Sequence, residues 1–190
     1  KRMILPIVAY GASILRKECT AISTDYPRLN NLVADMWNTL DSADGVGLAA
    51  PQVNVAIKLF LVDSAKTYQP YTEAATKQQE RGIRKVFINP TIITYSKEKD
   101  IADEGCLSIP DIYAPIERSI SIKIRYVDER FREHIETYQG RTARMIQHEY
   151  DHILGKLHID YLSNLQKIRL SSKLNRIRRG KIKSKYTMLY

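Results

Sequence analysis

Leu29, Leu32, Val33, Met36, Trp37 and Leu40 recur at the i, i+3, i+4, i+7 spacing of a helix with one apolar face, and Asp44-Gly45 supplies its stop. Residues 57–63 form an apolar run of strand length. Residues 64–82 are polar, contain Pro70, and read as an exposed, mobile loop without chemistry. Residues 86–95, 119–127 and 132–138 have strand patterns, the last two forming a hairpin around Asp128-Glu129-Arg130. Gly140 then opens a helix that runs to Leu154 and carries two histidines. Residues 157–161 read as a short extended stretch, with His158 a strand residue between Leu157 and Ile159. Residues 162–179 look helical, but the apolar phase slips between Ile168 and Leu170, which argues against one straight amphipathic helix. The apolar start, broken by Pro6 and followed by Arg16, predicts a buried strand rather than a secretory leader. Helices mixed with local hairpins predict an α+β fold: antiparallel sheets packed around the central histidine-bearing helix, with a C-terminal helix.

At 190 residues and 44% hydrophobic, the chain suits one well-buried domain over residues 1–190. Charge changes that picture only at the end. The net charge is +9, yet no Asp or Glu follows Asp160, while nine of the 30 basic residues do. The part before is balanced, and a basic segment over residues 163–190 holds the whole excess. Two cysteines, Cys19 and Cys106, make no disulfide framework and fit a reducing cytoplasm. No apolar stretch approaches the roughly 20 residues of a membrane-spanning helix.

The chemistry concentrates in residues 147–158, QHEYDHILGKLH. On a helix, His148 and His152 stack on one face roughly 5 to 6 Å apart, within reach of one divalent ion, with Glu149 beside them for proton transfer. A catalytic site of this kind commonly uses three protein ligands and leaves a position for water, so a third donor is required. His158 would complete HExxHxxGxxH, the metzincin protease pattern, but that class needs a methionine turn downstream and the only later methionine is Met188. Cys106, in EGCLSIP, is the other candidate, although an isolated cysteine is more often a buried apolar residue. Two further readings stay open: a structural metal site in a basic RNA-binding protein, and a cysteine hydrolase with Cys106 as nucleophile and His148 as base. Structural zinc sites usually have four protein ligands, which argues against the first. Chelator sensitivity separates the second.

Residues 45–52 (GVGLAAPQ) are weak evidence alone. Together with EGCLSIP and QHEYDHILG, in that order and spacing, they resemble the three signature motifs of the peptide deformylase family, from ILPIV near the start to DYLS at residues 160–163. The resemblance implies removal of the N-formyl group from formylmethionine of nascent bacterial or organellar polypeptides, with release of formate. It implies Cys106, His148 and His152 as metal ligands, Glu149 as general acid/base, and the Gln52 amide with the Leu107 backbone N–H as oxyanion donors. The metal is then iron(II), replaceable by zinc, nickel or cobalt in purified protein. Gly45, Val46 and Gly47 are expected to pair with an extended peptide by β-augmentation. Val46, Ile109, Tyr113, Arg144 and Met145 are expected to wall a methionine pocket. Glu104 and Asp151 are the candidate partners of the histidines, an exposed ion pair being the alternative for each. Arg141 departs from the aromatic or aliphatic residue of many family members, so the pocket rim is expected to differ.

Arg169, Lys173 and Arg176 fall at i, i+4, i+7 and make a positive ridge. A charge run is usually a solvated face. The resemblance adds a polyanionic partner, ribosomal RNA near the tunnel exit, which some deformylases reach through a C-terminal helix.

Overall fold

The computed structural model describes residues 3–68 and 82–190. Its centre is a five-stranded antiparallel sheet in the order β2-β3-β4-β7-β8, where β2 is Gly47–Ala49, β3 Leu59–Asp63, β4 Arg84–Tyr95, β7 Ser121–Val127 and β8 Glu133–Gln139. In β3 every residue is buried, because helices cover both faces. Leu59 and Leu61 pack with Val33, Met36 and Leu40 of helix α1 (Leu29–Ser42). Phe60 and Val62, one residue out of phase, pack with Ala143, Ile146 and Ile153 of helix α2 (Gly140–Ile153). A continuous apolar run is what a strand buried on both sides requires. Strand β7, by contrast, alternates: Ile122, Ile124 and Tyr126 face α2 while Lys123 and Arg125 are exposed.

A second antiparallel pair, β5 (Lys99–Cys106) and β6 (Ile109–Ser119), lies against α2 away from the sheet. Its inward residues Ile109, Ile112, Ala114 and Ile116 share a core with Leu157, Ile159, Leu174 and Ile177. Helix α2 therefore sits between the sheet and this hairpin, the α+β arrangement expected from the sequence. The hairpin itself was not foreseen: β5 carries Lys99, Asp100, Asp103 and Glu104, and an acidic strand lacks the apolar signal of its neighbours.

Helix α3 (Asn164–Arg178) is one continuous helix without a sustained apolar stripe, in keeping with the doubt raised by the phase slip. Ser163 and Gln166 form a reciprocal capping box: the Gln166 N–H donates to Ser163 Oγ at 3.3 Å and the Ser163 N–H to Gln166 Oε1 at 2.9 Å. The phase slip marks where α3 reaches the body, since Leu165 and Ile168 are exposed while Leu174 and Ile177 are buried. His158 lies in a short 3-10 helix, His158–Tyr161, not in a strand. Ser64–Thr67 is likewise a 3-10 helix with Ser64 fully buried and bonded to Thr142 at 2.8 Å, so the loop expectation fails there, although Ala65 and Lys66 are exposed as expected. The rest of that expectation, residues 69–81, lies outside the described residues. Nor does the basic segment end in solvent: after α3 the chain folds back, and β9 (Met188–Leu189) pairs in parallel with the buried N-terminal strand β1 (Ile7–Val8).

Phe87 holds the sheet-to-α2 core together, with ring centroids 5.0 Å from Phe60 and 4.4 Å from Tyr126. Replacing it with alanine should cost about 3–5 kcal/mol in denaturant unfolding; a loss below about 1 kcal/mol would mean that this core is not where stability resides.

Candidate metal centre

The site joins two elements distant in sequence. His148 and His152 project from the same face of α2, ring centroids 5.1 Å apart, as the i, i+4 spacing requires. Cys106 ends β5, at a register shift between Glu104 and Cys106 that turns its side chain toward α2. The Cys106 Sγ lies 3.3 Å from His152 Nε2, and one donor atom from each of Cys106, His148 and His152 falls within 4.8 Å of the others. Two ligands of a tetrahedral ion with a 2.3 Å bond to sulfur and 2.0–2.1 Å bonds to nitrogen are separated by about 3.6 Å. This donor set fits one ion. Among the described residues, this is the group able to hold a metal, and His158 is not part of it although its ring lies 5.7 Å from that of His148.

His148 is oriented by Glu104, whose Oε2 lies 3.0 Å from His148 Nδ1, leaving Nε2 toward Cys106. Glu104 is itself gripped by Arg118, which donates from Nε and from a terminal nitrogen at 2.9 Å each. The same guanidinium reaches Asp151 at 2.5 Å, and Arg144 donates to Glu104 at 2.8 Å. Burial opposes the charge on Glu104, but the bonds from His148 and Arg118 outweigh it and hold the carboxyl well below its ordinary range. Glu104 and Asp151 are thus both buried, correcting the alternative of exposed ion pairs. Asp151 contacts Arg118 and Tyr161 rather than a histidine. Arg118 escaped the sequence reading, yet it was legible: it continues the i, i+2 series Ile112, Ala114, Ile116 on the buried face of β6.

Glu149 is buried, its Oε2 has no hydrogen-bond partner among the described residues, and burial pushes its carboxyl up to about 7. Such a group is poised to exchange protons near neutrality. Burial also pushes His152 well below its ordinary value, so it offers a neutral imidazole. Gly47 lies directly against the Glu149 carboxyl; a Cβ there would overlap it. Room for the carboxyl is thus a second demand on this glycine, beside backbone approach to a peptide. Gln52 is 1% exposed; its Oε1 accepts from the Ala49 N–H at 2.8 Å, which fixes the amide so that Nε2 points to Cys106 Sγ at 3.5 Å and Ser108 Oγ at 3.2 Å. Leu107 and Ser108 form the two-residue turn between β5 and β6.

Above these groups opens a cleft of about 860 Å³. Gly45, Val46, Gly47, Ile109, Tyr113, Arg144 and Met145 all line it, as do Gln52, Leu107 and Arg141. Ile109 is fully buried at its floor and Tyr113 exposed at its rim. Arg144 is committed to Glu104, to Asp100 and to the Ile116 carbonyl, so it braces the wall. Arg141 donates to the Thr67 carbonyl at 2.9 Å across the cleft mouth. The segment bearing β2 is the outer edge of the sheet and borders the cleft.

A thiol and two imidazoles able to share one ion, an unpartnered carboxyl beside them and a cleft bordered by a strand edge are what a metal-dependent hydrolase of peptide-like substrates needs. The polypeptide deformylase family model matches residues 4–168. The peptide deformylase of Christiangramia forsetii is 47% identical over 99% of this chain and 96% of the relative, and that of Cytophaga hutchinsonii 40% over 99% and 98%. Among solved structures, peptide deformylase 1B of Arabidopsis thaliana superposes with a TM-score of 0.80 at 32% identity, covering 93% of this chain and 92% of that one. A peptide deformylase of Legionella pneumophila gives 0.79 at 31%, covering 94% and 97%. The chain belongs to the peptide deformylase family, metallohydrolases that remove the N-formyl group from nascent peptides.

Arg118→Met would leave Glu104 and Asp151 as buried carboxylates without their main partner. It should destabilise the protein by about 3–5 kcal/mol in denaturant unfolding and weaken metal retention during dialysis. Wild-type stability and metal content in this variant would contradict the bracing role of Arg118.

Proposed function

We propose that Cys106, His148 and His152 bind one divalent ion and that Glu149, Gln52 and Leu107 carry out deformylation around it. The observation that carries this reading is the convergence of a strand-end thiol on two helical imidazoles, with a buried, unpartnered carboxyl one residue from the first. A bound ion would polarise the formyl oxygen and acidify water. Glu149 takes a proton from the attacking water and delivers it to the amide nitrogen, so that the C–N bond breaks and formate and a free amine leave. The Gln52 amide and the Leu107 N–H donate to the oxygen that gains charge in the tetrahedral state. Gly45, Val46 and Gly47 pair with the peptide backbone, and Ile109, Tyr113 and Arg144 help to shape the pocket for its first side chain.

The ion is iron(II) in the cell, with zinc, nickel or cobalt tolerated after purification. A thiolate with two imidazoles suits all four, so availability decides. The substrates are N-formylmethionyl nascent peptides and the place of action is the bacterial cytoplasm, an organelle being the alternative. Free cysteines and bacterial relatives support this. Among the described residues no helix is long and apolar enough to cross a membrane.

Glu149→Gln should lower kcat by about 10²–10⁴-fold with metal content unchanged, as formate release and metal analysis of anaerobically prepared protein would show. Cys106→Ala should lose both metal and activity. Full activity in either variant contradicts the assigned role.

We propose further that the ridge on α3 docks on ribosomal RNA. Arg169, Lys173 and Arg176 are all exposed there. Since Leu174 and Ile177 belong to the core, cutting α3 away would damage the fold, and charge reversal is the cleaner test. A chain with these three residues changed to Glu should stop pelleting with ribosomes at low salt, while wild-type pelleting falls as salt rises. Equal co-sedimentation would refute the docking.

A further inference from the structure

Residues 181–190 lie beyond the segment matched by the family model, and begin with three lysines in five residues that continue the basic cluster from Arg178. In the fold they form a strap. Gly180 ends α3 with a φ of +64°, and the chain turns back toward the cleft. Ile182 and Met188 pack on the core shared by β6 and α3, against which Cys106 also packs. Farther on, the Ile7 and Ala9 N–H groups donate to the Thr187 and Leu189 carbonyls at 2.9 and 2.7 Å. Anchored at both ends, the strap lays Lys183, Ser184, Lys185 and Tyr186 along the cleft.

Tyr186 makes the decisive contact. Its hydroxyl donates to the Leu107 carbonyl at 2.7 Å. The adjoining Ser108 carbonyl accepts from the Tyr10 N–H at 2.8 Å, and Ser108 Oγ accepts from Gln52 at 3.2 Å. The two-residue turn after Cys106 is thus held from outside by the N-terminal segment, the Gln52 turn and the C-terminal strap. Of these three, only the tie from Tyr186 is a side-chain hydroxyl beside the cleft. Without it the Leu107 carbonyl could turn to water, at little cost in stability but with loss of a fixed orientation for the turn.

We infer that Tyr186 is a positioning residue for deformylation, holding the Leu107–Ser108 turn so that the Leu107 N–H faces the developing oxyanion. The inference rests on the proposed donor role of Leu107. It gives the C-terminal strap a part in turnover, acting through the turn without touching the reacting atoms.

The test is Tyr186→Phe in the full-length, metal-loaded enzyme, with Glu149→Gln run beside it. Tyr186→Phe should lower kcat about 3- to 10-fold with KM held within about twofold. In zinc-loaded protein the Leu107 carbonyl carbon resonance should move upfield as its hydrogen bond is lost, while the Ile7 and Ala9 amides keep their exchange protection, showing the strap still docked. An unchanged kcat, or a defect confined to KM, overturns the positioning role. If Glu149→Gln is inactive and Tyr186→Phe behaves as wild type, only the role of Tyr186 falls; if Glu149→Gln is active, the assignment of the site falls with it.

Discussion

The structure depends on one guanidinium. Arg118 on β6 bonds at once to Glu104 on β5 and to Asp151 on α2, with all three residues buried. Cys106 rides on β5 two residues beyond Glu104, and His148 and His152 flank Asp151 on α2, so Arg118 sets the position of the thiol relative to the imidazoles. Burying charges is costly, and an apolar core could join the hairpin to the helix as firmly. What apolar packing lacks is direction. A bidentate bond fixes the Glu104 carboxylate in its plane, and the free side of that carboxylate meets His148 Nδ1. Hydrogen bonding thus carries orientation from the hairpin to the helix and on to a ring nitrogen.

The remaining features fit around that frame. The sheet covers one flank of α2 with Phe60, Phe87 and Ile124, and the β5–β6 hairpin covers another, so the helix face bearing His148, Glu149 and His152 is dry except at the cleft. Dryness raises Glu149 toward neutrality and keeps His152 uncharged. The edge segment bearing Gly45 and Gly47 borders the opening, where an extended substrate can pair with the sheet.

Much of this was legible in the sequence because it rests on local periodicity. The apolar spacing of α1, the all-apolar run of β3 and the alternation of β7 each follow from which faces are covered. His148, Glu149 and His152 stood out as a metal-and-acid pattern on one helix face, whereas Gln52 and Cys106 were singled out only by the resemblance of three motifs taken in order. What escaped depends on partners remote in sequence. The acidic strand β5 is stable because Arg118 and Arg144 meet Glu104, and no local pattern announces that. His158 reads as strand because Leu157 and Ile159 flank it, yet the chain coils there into a 3-10 turn. Gly47 suggested room for substrate, whereas its nearest neighbour is the Glu149 carboxyl. The basic end showed mainly its charge, since its anchoring residues, Ile182, Tyr186 and Met188, are isolated from one another and form no periodic pattern.

Everything at the site turns on a hairpin thiolate and two helical imidazoles sharing one ion. X-ray absorption at the zinc edge of the zinc-loaded enzyme tests it most directly. One sulfur neighbour at about 2.3 Å is expected, with nitrogen or oxygen neighbours at about 2.0–2.1 Å. An inner shell of nitrogen and oxygen alone, with no sulfur, would contradict it.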